Sequence, residues 1–186
     1  MRTVGICRFS YAGQGGFKVG HNDQASLEAF LYGKERMEER FRLFEAITLP
    51  CIAAQTDPDF TFLIVTGTGF PAPYLERLQA LTADIPQCRI VQYAPGPHRR
   101  IMKKAINDWR GAPDAPCLQF RLDDDDAMAL GFVAKFKQTA TDVSALAARH
   151  SSMTVDFNQG YVFTANADGP AHHATFRRIQ SDIARD

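Results

Sequence analysis

An apolar segment that runs directly into four aspartates decides the fold: Cys117-Leu118-Gln119-Phe120-Arg121-Leu122-Asp123-Asp124-Asp125-Asp126. Its first half is short and largely apolar, which is typical of a buried strand. Four adjacent carboxylates repel one another, so their place at the end of such a strand costs stability unless a cation or strong hydrogen-bond donors offset the repulsion. The stretch therefore predicts a strand that ends at a polar site.

Strands and helices alternate upstream of this segment. The predicted strands are Val4–Phe9, Phe60–Val65, Arg89–Tyr93 and Cys117–Leu122, and the predicted helices between them are Gln24–Leu49, Leu75–Ile85 and His98–Trp109. A further helix follows the aspartates, so four strand–helix units succeed one another. This order predicts an α/β fold with a mostly parallel sheet and helices on both faces. Ligands of such sheets bind beyond the carboxyl ends of the strands, which is where the aspartates fall.

The last third of the chain predicts a helix and a C-terminal β-hairpin. Apolar residues recur at helical spacing from Phe132 to Ala147. The segments Met153–Phe157 and Tyr161–Thr164 flank the turn sequence Asn158-Gln159-Gly160, a signal for a hairpin. The tail from Ala171 has a weak helical pattern.

Composition limits the partners of this chain. Of its 186 residues 45% are hydrophobic, and 21 basic residues balance 21 acidic ones. A net charge of zero gives no general attraction to nucleic acid, so we expect no such partner and only a local anion site. We expect no transmembrane segment, because no stretch approaches the roughly 20 apolar residues that span a bilayer. The start lacks a signal peptide and the four cysteines are widely spaced, which together favour a cytoplasmic location.

The acidic run is the first candidate site. Alternate residues of an extended segment point to the same side, so Asp123 and Asp125 can share one face. Two hard oxygen ligands, completed by waters and a diphosphate, suit Mg²⁺ or Mn²⁺. The alternative is a solvated acidic loop or helix N-terminus, where aspartate is favoured in any case.

Basic residues near the run form a second candidate set. The helix from His98 carries Arg99, Arg100 and Lys103, whose charges could neutralise a metal-bound diphosphate. The alternative is a solvated helix face. Arg121 directly precedes the aspartates and can either pair with one of them or reach a phosphate.

The end of the first strand is the third candidate. Arg8, Phe9 and Ser10 could hold a nucleobase there, with an aromatic ring to stack and polar groups to contact its edge. For Phe9 the alternative is an ordinary core position. The pair His172-His173 could add a metal ligand, or could be exposed.

Three stretches of the chain resemble the putative rhamnosyl transferase family, and the resemblance covers nearly the whole chain in order. They are Phe41-Arg42-Leu43-Phe44-Glu45-Ala46-Ile47-Thr48-Leu49-Pro50-Cys51-Ile52-Ala53-Ala54-Gln55-Thr56-Asp57-Pro58-Asp59-Phe60, Arg8-Phe9-Ser10, and Arg121-Leu122-Asp123-Asp124-Asp125-Asp126-Ala127. The layout is more distantly similar to glycosyltransferase family 2 and its Rossmann-like GT-A fold. The resemblance implies that residues 1–186 form a single nucleotide-sugar-binding domain that lacks part of the acceptor-binding portion.

The resemblance also implies roles for individual residues. Asp123 and Asp124 would contact the donor, Asp125 would bind a divalent metal, and Asp126 would support the metal or the donor sugar. Four identical residues leave this register open by one position. Relatives end the second strand in acidic residues that hold base and ribose, whereas this chain has Val65-Thr66-Gly67-Thr68 there.

The catalytic base is the least defined role. Inversion at the donor sugar needs a carboxylate to deprotonate the acceptor hydroxyl. Asp156 is the candidate base in the hairpin region, with an outward-facing hairpin residue as the alternative.

The leading functional prediction is a glycosyltransferase that moves a sugar from a nucleoside diphosphate donor to a glycan or lipid-linked acceptor, with the enzyme peripheral to the membrane through that acceptor. Rhamnose is implied by the family name alone. One alternative is a metal-dependent nucleotidyltransferase. The other is a truncated or non-catalytic module that binds nucleotide or mediates an interaction.

Overall fold

The computed structural model describes residues 1–15, 23–111, 116–166 and 169–177, with side chains up to residue 162. The chain divides into two compact units, Met1–Asp142 and Val143–Asp186. Among the described residues, no helix has both the length and the apolar character needed to cross a membrane. All four cysteines are free thiols.

The first unit is built on a four-stranded parallel sheet. Its strands are β1 (Arg2–Arg8), β2 (Thr61–Gly67), β3 (Cys88–Tyr93) and β4 (Cys117–Arg121), in the spatial order β3-β2-β1-β4. The pairs Gly5↔Phe62 and Gly5↔Phe120 fix the register of the central strand β1. The predicted parallel α/β sheet is confirmed, and β1 and β4 end side by side at one edge.

Helices cover both faces of this sheet. They are α1 (Gln24–Leu31), α2 (Lys34–Leu43), α3 (Leu49–Ala53), α4 (Ala72–Thr82), α5 (His98–Arg110) and α6 (Phe132–Asp142). On one face α2, α3, α4 and α6 pack their apolar residues against Cys7, Phe62 and Ile64. On the other face α5 packs Ala105 against the cluster that contains Val4 and Leu63. Buried β-branched and aromatic residues on alternate sides of the strands thus produce a three-layer core.

The single helix predicted over Gln24–Leu49 is wrong in detail. It is interrupted at Tyr32 and Gly33, and α2 is followed by a π-helical turn, Phe44–Thr48, before α3 begins. Pro50 does not end the helix, since it lies in the first turn of α3. The missing N–H of proline is tolerated there because the preceding π turn already replaces the regular α-helical bonding.

The second unit contains α7 (Ser144–Ala147) and an antiparallel hairpin of β5 (Gln159–Asn166) and β6 (Gly169–Arg177). The C-terminal hairpin is confirmed, but its predicted position is wrong. Residues 153–157, which the structure describes, form no strand, and Gln159 and Gly160 of the predicted turn lie within β5. The weak helical pattern from Ala171 is also overridden, because β6 pairs with the strongly β-forming residues of β5.

Candidate functional site

A polar cavity opens at the edge where β1 and β4 end. Its volume is about 120 Å³. It is lined by Arg8, Ser10, Tyr11, Arg36, Arg40, Asp123, Asp124 and Asp125. These residues come from three places: the end of β1 with the residues that follow it, the helix α2, and the loop that joins β4 to α6. The volume is below the roughly 300–1,000 Å³ typical of whole-ligand sites, so it suits one charged portion of a larger ligand.

Arg40 holds two of the aspartates. Its Nη1 atom donates to Asp124 Oδ1 and to Asp125 Oδ2, each at 2.9 Å. The side chain of Asp124 is only 7% exposed, whereas that of Asp125 is 42% exposed. One guanidinium nitrogen therefore lies between two carboxylates, one buried and one open to solvent.

Arg121 pairs with the first aspartate of the run. Its Nη2 donates to both carboxylate oxygens of Asp123, at 2.7 and 2.8 Å, and its Nε donates to Oδ1 at 3.0 Å. Of the two roles predicted for Arg121, the structure shows the ion pair with an aspartate. Because both partners are largely exposed, this pair contributes little to stability.

Burial changes the protonation behaviour of the site. Burial raises the pKa of Asp124 to about 6; Arg40 opposes this rise and the neighbouring charge of Asp125 adds to it. Burial also lowers the pKa of Arg8 and of Arg36; neighbouring arginines lower both further, and Asp124 opposes both changes. Guanidiniums destabilised in this way gain from a bound anion.

Two cavity atoms are buried without a hydrogen-bond partner among the described residues: Ser10 Oγ and Arg36 Nε. Ser10 is only 7% exposed and has a φ of 46°, in the left-handed region that a serine rarely adopts. An unsatisfied buried hydroxyl and a strained backbone both cost free energy, and such costs concentrate at ligand sites. These two atoms therefore mark the part of the cavity prepared for a polar ligand.

Two side chains after α2 bind the acidic loop, which is the segment 122–131 between β4 and α6. Thr48 Oγ1 donates to the carbonyl oxygen of Asp126 at 2.9 Å. Gln55 is buried, and its Nε2 donates to the carbonyl oxygen of Ala129 while its Oε1 accepts from Val133 N, at 2.9 and 3.0 Å. Gln55 thereby joins the loop to the start of α6.

The structure does not bring all the predicted donor residues to the cavity. Phe9 is fully buried and packs against Phe41 and Phe44, so its ring is a core side chain. Arg99, Arg100 and Lys103 are exposed on α5, and the cavity lining drawn from the described residues does not include them.

Of four further predicted residues, two are described with their side chains and lie outside the cavity lining. Asp126 is exposed and follows the lining aspartates directly. Asp156 is exposed and belongs to the second unit. His172 and His173 lie on β6, and their side chains fall outside the described residues.

Arg36 and Arg40 were missed by the sequence reasoning. They stand one helical turn apart on α2, within the charged segment Lys34-Glu35-Arg36-Met37-Glu38-Glu39-Arg40, which looks like a solvated face. Their position could have been inferred from the spacing of four residues between them. Each arginine directly precedes one of the buried apolar residues of α2, Met37 and Phe41, so both lie beside the buried face of the helix.

The carboxylates of the acidic run are suitable ligands for a divalent cation, but their side chains are not positioned to bind one together. Carboxylate oxygens are the donors that Mg²⁺ and Mn²⁺ prefer. Among the described residues, however, no group of three or more His, Cys, Asp or Glu side chains is placed to hold a metal ion. The reason is visible for Asp124 and Asp125, whose facing oxygens are both taken by Arg40.

The parallel sheet covered on both faces, with a polar cavity at its carboxyl edge, defines a Rossmann-like α/β protein. The chain belongs to the family described as Putative rhamnosyl transferase, whose model matches residues 2–184. This confirms the resemblance predicted from the sequence and supports a glycosyltransferase in general. Neither the curated proteins nor the solved structures include a significant match.

Proposed function

We propose that this protein is a glycosyltransferase that binds a nucleoside diphosphate sugar with the diphosphate in the cavity at the carboxyl edge of β1 and β4. The observation that carries the proposal is the convergence of Arg8, Arg36 and Arg40 on one small cavity. Guanidinium groups form strong charge-assisted hydrogen bonds with phosphate oxygens, and within the described part of the chain Arg36 Nε and Ser10 Oγ have no hydrogen-bond partner.

A divalent cation, Mn²⁺ or Mg²⁺, is part of this proposal. Asp125 and Asp126 would hold it, since both carboxyl groups are reached from solvent at the rim of the acidic loop. Asp123 and Asp124 would position the donor, with Arg121 holding Asp123 in place. When bound, the cation would offset the negative charge of the departing diphosphate.

The residues of the chain would act mainly on the leaving group. Arg36 and Arg8 would stabilise the charge that develops on the diphosphate as the bond to the sugar breaks. Asp156 is the proposed base that takes the proton of the acceptor hydroxyl. The family description supports rhamnose as the transferred sugar. The acceptor that we propose is a glycan or a lipid-linked molecule.

Binding measurements test the diphosphate site directly. We would titrate UDP, GDP and dTDP and the matching nucleosides into the full chain by calorimetry, with Mn²⁺ present. Arg36→Gln should weaken the best nucleoside diphosphate by about tenfold or more, the loss of a charged hydrogen bond of about 1.5–3 kcal/mol, and leave the nucleoside unchanged. Arg42→Gln is the matched control, because Arg42 is exposed on the same helix and outside the cavity lining.

A hydrolysis screen over nucleoside diphosphate sugars, with and without Mn²⁺, tests the reaction class. Release of nucleoside diphosphate from one donor would support the proposal. Equal loss of diphosphate and nucleoside affinity in Arg36→Gln would assign Arg36 to the scaffold. No binding of any nucleoside diphosphate would refute the proposed function.

A further inference from the structure

We infer that Arg40 is an exchangeable counter-ion of the acidic loop, which occupies the place of the divalent cation in the metal-free protein and turns to the diphosphate when the cation binds. This inference rests on the proposed function, because it assumes that cation and diphosphate share the cavity. It makes Arg40 the residue that couples the two ligands.

The geometry of the ion pairs supports the exchange. A single atom, Arg40 Nη1, makes both contacts at 2.9 Å, so its positive charge lies between the carboxylates of Asp124 and Asp125. A divalent cation at Asp125 would need the oxygen lone pairs that Arg40 now uses, and the two positive charges would repel each other. Arg40 and the cation are therefore competitors for the carboxylate of Asp125.

The released guanidinium has a defined destination. Nη2 and Nε of Arg40 take no part in the two aspartate bonds, and the side chain already lines the cavity. Arg36 lies one turn away on the same helix and lines the cavity too. Two guanidiniums this close repel each other unless an anion lies between them, which favours a phosphate group.

This arrangement has a thermodynamic signature that a fixed structural ion pair would lack. In the wild type each ligand alone meets an opposing cost: the cation must displace Arg40, and the diphosphate must draw Arg40 from the aspartates. Together each ligand removes the cost of the other, so their binding is positively coupled. Without Arg40 the cation has no competitor, and it should bind more tightly alone while the coupling shrinks.

The experiment uses the full chain, Mn²⁺ followed by the electron paramagnetic resonance signal of the free ion, and pyrophosphate as a diphosphate probe that is independent of the base. We expect Arg40→Gln to bind Mn²⁺ alone about fivefold more tightly than the wild type. The factor by which Mn²⁺ strengthens pyrophosphate binding should fall about tenfold. Arg42→Gln should match the wild type in both measurements.

A buried carboxylate left without its partner could unfold Arg40→Gln, so a second comparison removes both charges. The double variant Asp124→Asn with Arg40→Gln should bind Mn²⁺ more tightly than Asp124→Asn alone, because only the double variant lacks the guanidinium that competes with Mn²⁺ for Asp125. Circular dichroism checks that each variant is folded.

The outcomes separate the two proposals. If the wild type binds Mn²⁺ and pyrophosphate but the loss of Arg40 leaves Mn²⁺ affinity equal or weaker in both comparisons, the exchange is overturned and the proposed function stands. If the wild type binds neither probe, and also none of the nucleoside diphosphates, the proposed function fails and the exchange fails with it.

Discussion

Ser10→Ala should make the protein more stable and its ligand binding weaker. In the free protein Ser10 Oγ is buried in the cavity wall and has no hydrogen-bond partner among the described residues. An unsatisfied buried polar group costs about 1–3 kcal/mol, and alanine removes it while keeping the same Cβ atom at the same positive φ. We therefore expect the free energy of unfolding to rise by about 1 kcal/mol, which for a domain of this size raises Tm by about 2–4 °C.

The ligand should respond in the opposite direction. If the hydroxyl of Ser10 donates to a phosphate oxygen, its loss should cost about 1.5 kcal/mol, or about tenfold in the affinity for nucleoside diphosphate. Urea unfolding and calorimetric titration of the same preparations measure both effects.

Thr66→Val is the matched control for this experiment. Thr66 Oγ1 is also buried and finds no hydrogen-bond partner in the part of the chain that the structure describes, but Thr66 does not line the cavity. The control should gain similar stability and keep its affinity. A Ser10→Ala protein that loses stability, or that keeps wild-type affinity, would refute the reasoning.

Three further predictions follow from the same structure. In calorimetry, Asp125→Ala should abolish the gain in nucleoside diphosphate affinity that Mn²⁺ provides, and so should a chelator added to the wild type. Equal affinity with and without chelator would exclude the metal role. Arg99→Ala should keep the wild-type affinity for nucleoside diphosphate in calorimetry, because Arg99 is exposed on α5 and is not among the described residues that line the cavity; a selective loss of about tenfold for nucleoside diphosphate over nucleoside would instead support the sequence-based prediction that α5 contacts the phosphates. Gly5→Ala should destabilise the sheet by about 1–3 kcal/mol in urea unfolding, because the added Cβ would overlap the ring of Phe120 and lie 2.8 Å from Phe62 Cδ2; wild-type stability would mean that both rings can move aside.

The strands were predictable because each is a short apolar run bounded by turn residues. Phe62, Ile64 and Val65 are buried as such a run requires, and the order of strands and helices then implies a parallel sheet. The acidic run could also be placed at the carboxyl edge, since it directly follows a strand. These features depend on the local sequence, so the spacing of apolar residues is enough to predict them.

The arginine side of the cavity was not predictable in the same way. Whether Arg36 and Arg40 point to solvent or to the aspartates depends on how α2 is oriented, and that orientation follows from the interruption at Gly33 and from core contacts of Phe41. The partners of Arg40 lie 84 and 85 positions away in the chain. Contacts of such sequence separation leave no periodic signal.

The π-helical turn between α2 and α3 sets the rotational relation between two parts of the site. A π turn holds one residue more than the α-helical turn it replaces, and it offsets everything beyond it by about 100° around the axis. On one side of the turn Arg40 faces the acidic loop through its side chain, and on the other side Gln55 holds the backbone of the same loop. The turn therefore sets the angle at which the segment after it meets the loop, and an insertion or deletion of one residue within Phe44–Thr48 would rotate that segment by about 100° relative to Arg40.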